Sequence, residues 1–359
     1  MTNYLLAGGG TAGHVNPLLA LADHIRDVAP EDSIVTLGTR EGLEAELIPA
    51  RGYSIEFIAK LPFPRKPGSY AFQFPLRFWR AVSEVRQIIR QRKIDVVVGF
   101  GGYASAPAYV AARLQKIKIV VHEANALPGI ANRIGAKFAN AVGVAFEGTQ
   151  LRNAAHVGMP LRAEIIQSAS KRDQKAARKH FGLDADSFTL LVTGGSLGAK
   201  KINETIEASR DLLLAAGIQV LHIVGGKSEL EALKQKGYLR IKYCDRMDLA
   251  LAAVDFAVSR AGAATVSELA AIGVPALYLP YSVGNGEQKH NLKGILEAGA
   301  GLTISDANFD RAYVASQLVP LLSSAKKIAG MTKAARAQGI LDGTQRLYQL
   351  VLGVLSDKN

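Results

Sequence analysis

The stretch "LLAGGGTAGHVNPLLALADHI" (residues 5–25) runs an apolar strand pattern into glycines at 8, 9, 10 and 13, and then into a helical pattern. Leu18, Leu21, Ala22, Ile25 and Val28 recur at helical spacing, and Asn16-Pro17 reads as an N-cap followed by a proline at the first helical position. The plan restarts in the second half, where "FTLLVTGGSLGAKKINETIEASRDLL" (188–213) is again strand, Gly-rich loop and helix. Further short apolar runs at 34–37, 94–98, 117–121, 141–145, 219–224, 254–258 and 275–279 join 3–7 and 188–193 as strands between helical patterns. Such alternation predicts βαβ units and parallel sheets. One long sheet gives no reason for the Gly-rich motif to restart. The expectation is therefore an α/β chain of two Rossmann-like domains, joined near residue 162 and facing each other across a cleft.

Composition sets bounds on function. A chain of 359 residues, 48% hydrophobic and 21% charged, has the length for two domains and a normal core. Its only cysteine, Cys244, permits no intrachain disulfide and supplies no zinc site, which suits a reducing cytosol. Met1 leads directly into a strand pattern, with no targeting signature, and no run reads as a membrane span. The net charge of +12 is unevenly spread. Residues 60–93 hold nine basic residues (Lys60, Arg65, Lys66, Arg77, Arg80, Arg86, Arg90, Arg92, Lys93) and one acid, Glu84, which is two thirds of the excess. That concentration points to one anionic partner surface.

Three Gly-rich loops follow strands: "GGGTAGH" (8–14), "GFGGYAS" (99–105) and "GGSLGAK" (194–200). Glycine lets the backbone approach a ligand, and a helix start aims free N–H groups at an anion. Equally, such loops serve as tight turns that bind nothing. The string Gly8-Gly10-Gly13 fits a dinucleotide fingerprint, but a NAD site wants an acid at the end of the second strand. Gly38, Thr39 and Arg40 stand there instead. NAD is disfavoured, and an NADP-dependent oxidoreductase with Arg40 on the extra phosphate is the alternative enzyme. His14, directly after the loop, is either a general base or a support for the loop.

Other polar clusters fall where open α/β sheets place ligand contacts. "HEANALPGIANR" (122–133) follows a strand, "SRAGAATVSELAAIG" (259–273) carries Glu268 one turn inside a helix, and "GNGEQKHN" (284–291) sets polar groups beside glycines. Glu268 would accept from a sugar diol or complement the helix dipole. "DAD" (184–186) precedes a strand and reads as turn residues. "KLPFPRKPGSYAFQFPLRFWRA" (60–81) interleaves aromatic with basic residues and suits an anionic bilayer surface, although some of its aromatics face the core. No nucleic-acid-binding module is recognisable.

Taken in order, "GGGTAGH", "GFGGYAS", "HEANALPGIANR", "VGMPLR", "TGGSLGA", "SRAGAATVSELAAIGVPALYLPY" and "GNGEQKHN" resemble the MurG family, peripheral membrane glycosyltransferases of peptidoglycan synthesis. The resemblance implies a GT-B fold, with domains 1–162 and 163–340 and a C-terminal helix, within 341–359, that returns to the first domain. It implies inverting transfer of N-acetylglucosamine from UDP to the 4-hydroxyl of the muramic acid sugar of lipid I, giving lipid II, at the cytoplasmic face of the membrane. A non-catalytic, membrane-docked nucleotide-sugar-binding protein is the alternative of another class.

By the same resemblance His14 is the base. Thr11, Ala12 and Gly13 lie beside the donor sugar and phosphates, so that the first loop is a pyrophosphate-binding turn, and Asn125 contacts the sugar. Arg162 and Ser196 help hold UDP, and Ala263, Ala264, Thr265, Val266 and Ser267 form the diphosphate-binding helix start. Glu268 takes the ribose and Gln288 reads sugar hydroxyls. Phe63, Arg65, Lys66, Phe72, Phe74, Phe78, Trp79 and Arg80 are implied to dock on the anionic inner leaflet. No metal is implied in the site, and a divalent cation would assist only by pairing with pyrophosphate. Ala12, Ala124 and Glu287 depart from the commoner family residues.

Overall fold

The apolar β-branched runs become the central strands of two sheets in the computed structural model, which describes residues 1–64, 66–281 and 286–357. The chain divides into two units, Met1–Arg162 with Asp342–Asn359, and Ala163–Leu341.

The first unit holds β1 (Asn3–Ala7), β2 (Ser33–Gly38), β3 (Ser54–Phe57), β4 (Val96–Gly99), β5 (Lys118–Glu123), β6 (Ala141–Val144) and β7 (Ala154–His156). They lie in the order β3-β2-β1-β4-β5-β6-β7, all parallel. Strand alternation sends Leu5, Ala7 and Val97 into the core layer on one face, and Tyr4, Leu6, Val96 and Val98 into the layer on the other. With both faces covered, β1 and β4 read as unbroken apolar runs. The first layer contains α1's counterparts across the sheet, α3 (Ser69–Gln91) and α4 (Ser105–Leu114), and the second contains α1 (Ala12–Val28) itself. Two short helices, α2 (Glu44–Ala50) and α5 (Ile130–Gly135), complete the elements used below.

The C-terminal helix Gly343–Ser356 packs on the same layer as α1 through Leu347, Tyr348, Val351 and Val354. Leu347 and Val351 are fully buried, each stabilising by about 1.5–3 kcal/mol. Gly343 permits the approach, since a Cβ there would sit 2.5 Å from the Met159 carbonyl oxygen.

The second unit holds β8 (Thr189–Thr193), β9 (Gln219–Ile223), β10 (Leu233–Gln235), β11 (Tyr238–Ile241), β12 (Phe256–Ser259), β13 (Ala276–Tyr278) and β14 (Gly301–Thr303), in the order β10-β11-β9-β8-β12-β13-β14. Here the expected parallel pattern has one exception. β10 pairs antiparallel with β11 through a two-residue loop, Lys236-Gly237, whose glycine adopts φ +76°. A hairpin that short can join only antiparallel strands.

Five strands were not expected from the pattern: β3, β7, β10, β11 and β14. Four of these are sheet edges, and the fifth is next to one. Edge strands need little apolar patterning; β7 is exposed at all three positions. The expected cap at Asn16-Pro17 is also wrong. α1 begins a turn earlier at Ala12, with Thr11 at the cap, and Pro17 lies inside the helix. Val15 is already fully buried, so tertiary packing extends the helix backwards at the expense of the bond that Pro17 cannot donate to Gly13. Val28, counted on the apolar face, is exposed instead.

Candidate functional site

In each sheet the chain reverses its direction of winding at one point, between β1 and β4 in the first and between β8 and β12 in the second. Open α/β sheets bind ligands beyond the C-terminal ends of strands at such a switch point. The loops 8–14 and 99–105 leave β1 and β4 side by side, since Ala7 pairs with Gly99. Likewise the loop 194–199 and the helix Ala263–Ile272 follow β8 and β12, whose last residues Thr193 and Ser259 are partners.

In the first unit the two loops interlock. Gly102 adopts φ +79°, and a Cβ on it would lie 2.3 Å from the Gly9 carbonyl oxygen, closer than real atoms approach. Gly102→Ala is therefore expected to drive the loops apart, with a several-degree fall in Tm and about a ten-fold or greater loss of activity. Thermal denaturation beside a rate measurement checks this; an alanine variant with the parent Tm and rate would show that the contact does not matter.

His14 lies at this junction, half-buried. Its Nδ1 is 3.0 Å from the Gly9 carbonyl oxygen and 3.4 Å from the Thr11 hydroxyl. A carbonyl only accepts, so Nδ1 is the donor in this contact, which leaves the lone pair to Nε2 whenever the ring is neutral. Nε2 points at Gly101, where a Cβ would come within 3.1 Å. The position is kept clear by a glycine with φ +90°.

Below it, Glu123 is buried and accepts from the backbone N–H of Asn125 at 2.8 Å, the N–H of Gly129 at 3.0 Å and the Asn132 amide at 2.9 Å. The loop that presents Asn125 is thus held by one carboxylate. Asn132 in turn accepts from Tyr109, a fully buried phenol over which Gly99 and Gly135 leave room. Burial pushes the Tyr109 hydroxyl well above its ordinary range. The neighbouring His122 donates from Nε2 to the Gly158 carbonyl at 3.1 Å, and its buried Nδ1 has no partner among the described residues. Burial, with a smaller contribution from His14, pushes His122 down to about 4.

Two side chains around the first loop were not anticipated in these positions. The fully buried Glu44, in the first turn of α2, accepts from the Gly10 amide at 2.6 Å and from the Thr39 amide and hydroxyl at 2.9 and 2.8 Å. A carboxylate therefore already holds the Gly10 N–H. Arg40, offered for an NADP phosphate, stacks on the Phe57 ring at 4.6 Å. The acid that the fingerprint lacked at the end of β2 exists six residues past Gly38, and it serves the loop. Thr11, Ala12 and Gly13 remain at the start of α1, where the first amides have no intrahelical acceptor.

In the second unit Ser196 is exposed at the tip of its loop, seated by the Gly226 N–H on its carbonyl at 3.0 Å. Gly198, at φ +86°, lies against the Val224 carbonyl where a Cβ would be 2.2 Å away. Ala263, Ala264, Thr265, Val266 and Ser267 form the first turn and a half of their helix behind Gly262, with Glu268 half-buried on it. Gln288 is anchored to the backbone through one end of its amide. Its carbonyl oxygen accepts from the amides of Ala261 at 3.2 Å and Tyr281 at 2.9 Å, so only its NH₂ is left for a ligand. Asn291 donates to the Ala261 carbonyl beside it. Arg162 ends the first unit, half-buried. Gly284 and Asn285 of the "GNGEQKHN" motif lie outside the described residues.

The "DAD" string is a turn, with Asp184 accepting from the Asp186 and Ser187 amides. Among the described residues no group of three or more His, Cys, Asp or Glu is arranged to hold a metal ion.

The aromatic and basic segment splits in two. Phe63, Phe74 and Phe78, expected to dock, stack on one another at 5.4 and 5.8 Å, and Phe74 and Phe78 pack on the core. Phe72 and Trp79 project from α3 at 86% and 55% exposure, with Leu76, which the sequence reading missed, at 72% between them. Their spacing of four and three residues puts all three on one helix face. Lys66 and Arg80 are exposed nearby in sequence; Arg65 lies outside the described residues. No described helix is long and apolar enough to cross a membrane.

Comparison with known proteins bears on all of this. Residues 4–144 match the glycosyltransferase family 28 N-terminal domain, and residues 189–347 match its C-terminal domain. The UDP-N-acetylglucosamine--N-acetylmuramyl-(pentapeptide) pyrophosphoryl-undecaprenol N-acetylglucosamine transferase of Leifsonia xyli subsp. xyli is 54% identical over 356 residues, 99% of each chain. The protein of that name from Clavibacter sepedonicus is 53% identical over 359 residues, covering 100% of this chain and 98% of its own. The crystal structure of Acinetobacter baumannii MurG superposes with a TM-score of 0.78 at 24% identity, over 98% of this chain and 100% of that one, and shows the shared GT-B fold. The chain belongs to glycosyltransferase family 28, among the N-acetylglucosamine transferases that its relatives are named for.

Proposed function

We propose that the chain transfers N-acetylglucosamine from UDP-N-acetylglucosamine to the 4-hydroxyl of the muramic acid sugar of lipid I, forming lipid II with inversion at the anomeric carbon. The observation that carries this reading is the state of His14, whose Nδ1–H is committed to the Gly9 carbonyl and whose Nε2 lone pair faces the cleared space at Gly101. In the reaction Nε2 takes the proton of the acceptor hydroxyl while that oxygen bonds to the anomeric carbon. The bond from carbon to the β-phosphate oxygen breaks, and UDP leaves with the electron pair.

The charge that develops on the diphosphate needs donors. The helix-start amides of Ala263 to Ser267, the Ser196 hydroxyl and the Arg162 guanidinium are suited to it, with Glu268 on the ribose. The Gln288 NH₂, Asn125 and the start of α1 at Thr11, Ala12 and Gly13 serve the sugar. No metal is asked of the site, and a divalent ion would help only as a partner of the pyrophosphate. Labelled transfer to a short-chain lipid I analogue tests the reading, with UDP-glucose and UDP-N-acetylgalactosamine as rival donors. Selective transfer from the first donor is expected. Donor binding without transfer would instead favour a nucleotide-sugar-binding protein.

The acceptor is held in a membrane and the donor is in water, so the reading asks for a docking surface. Phe72, Leu76 and Trp79, flanked by Lys66 and Arg80, are suited to the anionic inner leaflet on the cytoplasmic side. Replacing all three apolar residues with serine is expected to weaken sedimentation with anionic vesicles by about ten-fold or more, with Tm unchanged because none of them is buried. Undiminished binding would move the docking surface elsewhere.

A further inference from the structure

Glu44 lies on the far side of the loop from His14, yet both bond the same peptide unit. The Gly10 N–H that Glu44 accepts at 2.6 Å and the Gly9 carbonyl that accepts from His14 at 3.0 Å belong to the one Gly9–Gly10 peptide. In a trans peptide those two groups point in opposite directions, so the plane stands between carboxylate and imidazole. Glycines from three segments make room for the carboxylate. A Cβ on Gly9, Gly38 or Gly42 would lie 2.3, 2.5 or 2.0 Å from an atom of the Glu44 side chain. All three of its hydrogen bonds among the described residues are accepted by the carboxylate oxygens, and the residue has no exposure.

We infer that Glu44 is a positioning residue for the base: by gripping the Gly9–Gly10 peptide from behind it fixes the carbonyl that holds His14 in its Nδ1–H tautomer. A carboxylate on the N–H of a peptide polarises its carbonyl into a stronger acceptor, so the two hydrogen bonds reinforce each other. The arrangement does through a peptide what a carboxylate bonded directly to a histidine does in hydrolytic triads. Among the described residues no carboxylate bonds His14 itself, which leaves this task to the backbone. Thr39, at the end of β2, steadies Glu44 in turn. This inference rests on His14 being the base.

The test uses Glu44→Gln in the full chain. Its carboxamide is the same size but turns an N–H toward one of the donors. The expected result is a kcat lower by about ten-fold, with KM for UDP-N-acetylglucosamine within about two-fold. ¹⁵N spectra of the His14 ring, assigned by their loss in His14→Ala, are expected to show Nδ1 protonated in the parent and a shift toward Nε2–H in the variant. In a His14→Ala background, Glu44→Gln is expected to leave the residual rate unchanged within about two-fold, because a residue acting through His14 has nothing left to act on. Parent spectra with Nε2–H would overturn the inference whether or not the variant folds. So would a variant that transfers at the parent rate, or one equally damaging without His14. If His14→Ala itself transfers normally, the base assignment fails first, and the two failures are told apart.

Discussion

Replacing His14 with alanine is expected to lower kcat for sugar transfer by about 10²–10⁴-fold, the usual contribution of a positioned acid or base. The Kd for UDP-N-acetylglucosamine should move by no more than about two-fold, because the diphosphate and ribose contacts are assigned to residues other than His14. The loop itself should hold, since Gly10 stays on Glu44 and Gly102 stays against Gly9. His14→Asn separates the two roles of the side chain: its amide nitrogen occupies the place of Nδ1 and can still donate to the Gly9 carbonyl, but the side chain cannot take a proton at neutral pH. It is expected to be as inactive as alanine while keeping the parent Tm. Single-turnover transfer with isothermal titration of the donor measures both quantities. An asparagine variant near the parent rate would make His14 a loop support and leave the base to another group.

Acid is expected to weaken each unit through one buried histidine. Burial holds His122 at about 4, and burial helped by Arg240 holds His222 at about 3, against an ordinary value of 6.5. His222 is locked neutral between the Tyr238 hydroxyl at 2.7 Å and the Asn203 carbonyl oxygen at 3.1 Å, with Glu207 and Arg240 beyond. Between those values and 6.5 the unfolded chain binds the proton that the folded chain refuses, so stability falls as pH falls. The contribution is complete above about pH 7 and drains away from 6.5 down to about 4 for His122 and about 3 for His222. Going from pH 7 to pH 5 should cost about 2 kcal/mol for each histidine. Urea denaturation at the two pH values measures it. His222→Gln is less stable at pH 7 but should show a pH dependence smaller by about that amount; an unaltered dependence would mean the histidine is not what titrates.

How much of this was legible varies by residue. β1, β4, β8 and β12 could be read because strands buried on both faces must be apolar throughout, and their Gly-rich exits because each turns sharply into a helix. β7, with all three residues exposed, carries no pattern at all. His14, Asn125, Ser196, Glu268 and Gln288 were singled out as candidates through ordered motifs, yet motifs do not say which atom of a side chain is already engaged. Gln288 spends its oxygen on two backbone amides, and only coordinates reveal it. Glu44 was passed over because the fingerprint looks for an acid at the strand end, whereas this one reaches back from the next helix. Its one visible trace was the run of glycines at 9, 38 and 42, which have no common reason in sequence. On α3, helical spacing alone could not say which aromatics turn inward; packing against the sheet took Phe74 and Phe78 and left Phe72, Leu76 and Trp79 outside.

The sequence by itself determined two α/β units with Gly-rich loops at the strand ends, because periodicity and glycine placement are local properties that each segment states alone. Which nitrogen of His14 is engaged by the loop, which amide of the first loop is already taken, and which face of α3 stays exposed were decided only by tertiary structure. Each depends on atoms that are far apart in the chain, such as Glu44 and Gly10, and hydrogen bonds and burial are assigned only when folding brings such partners together.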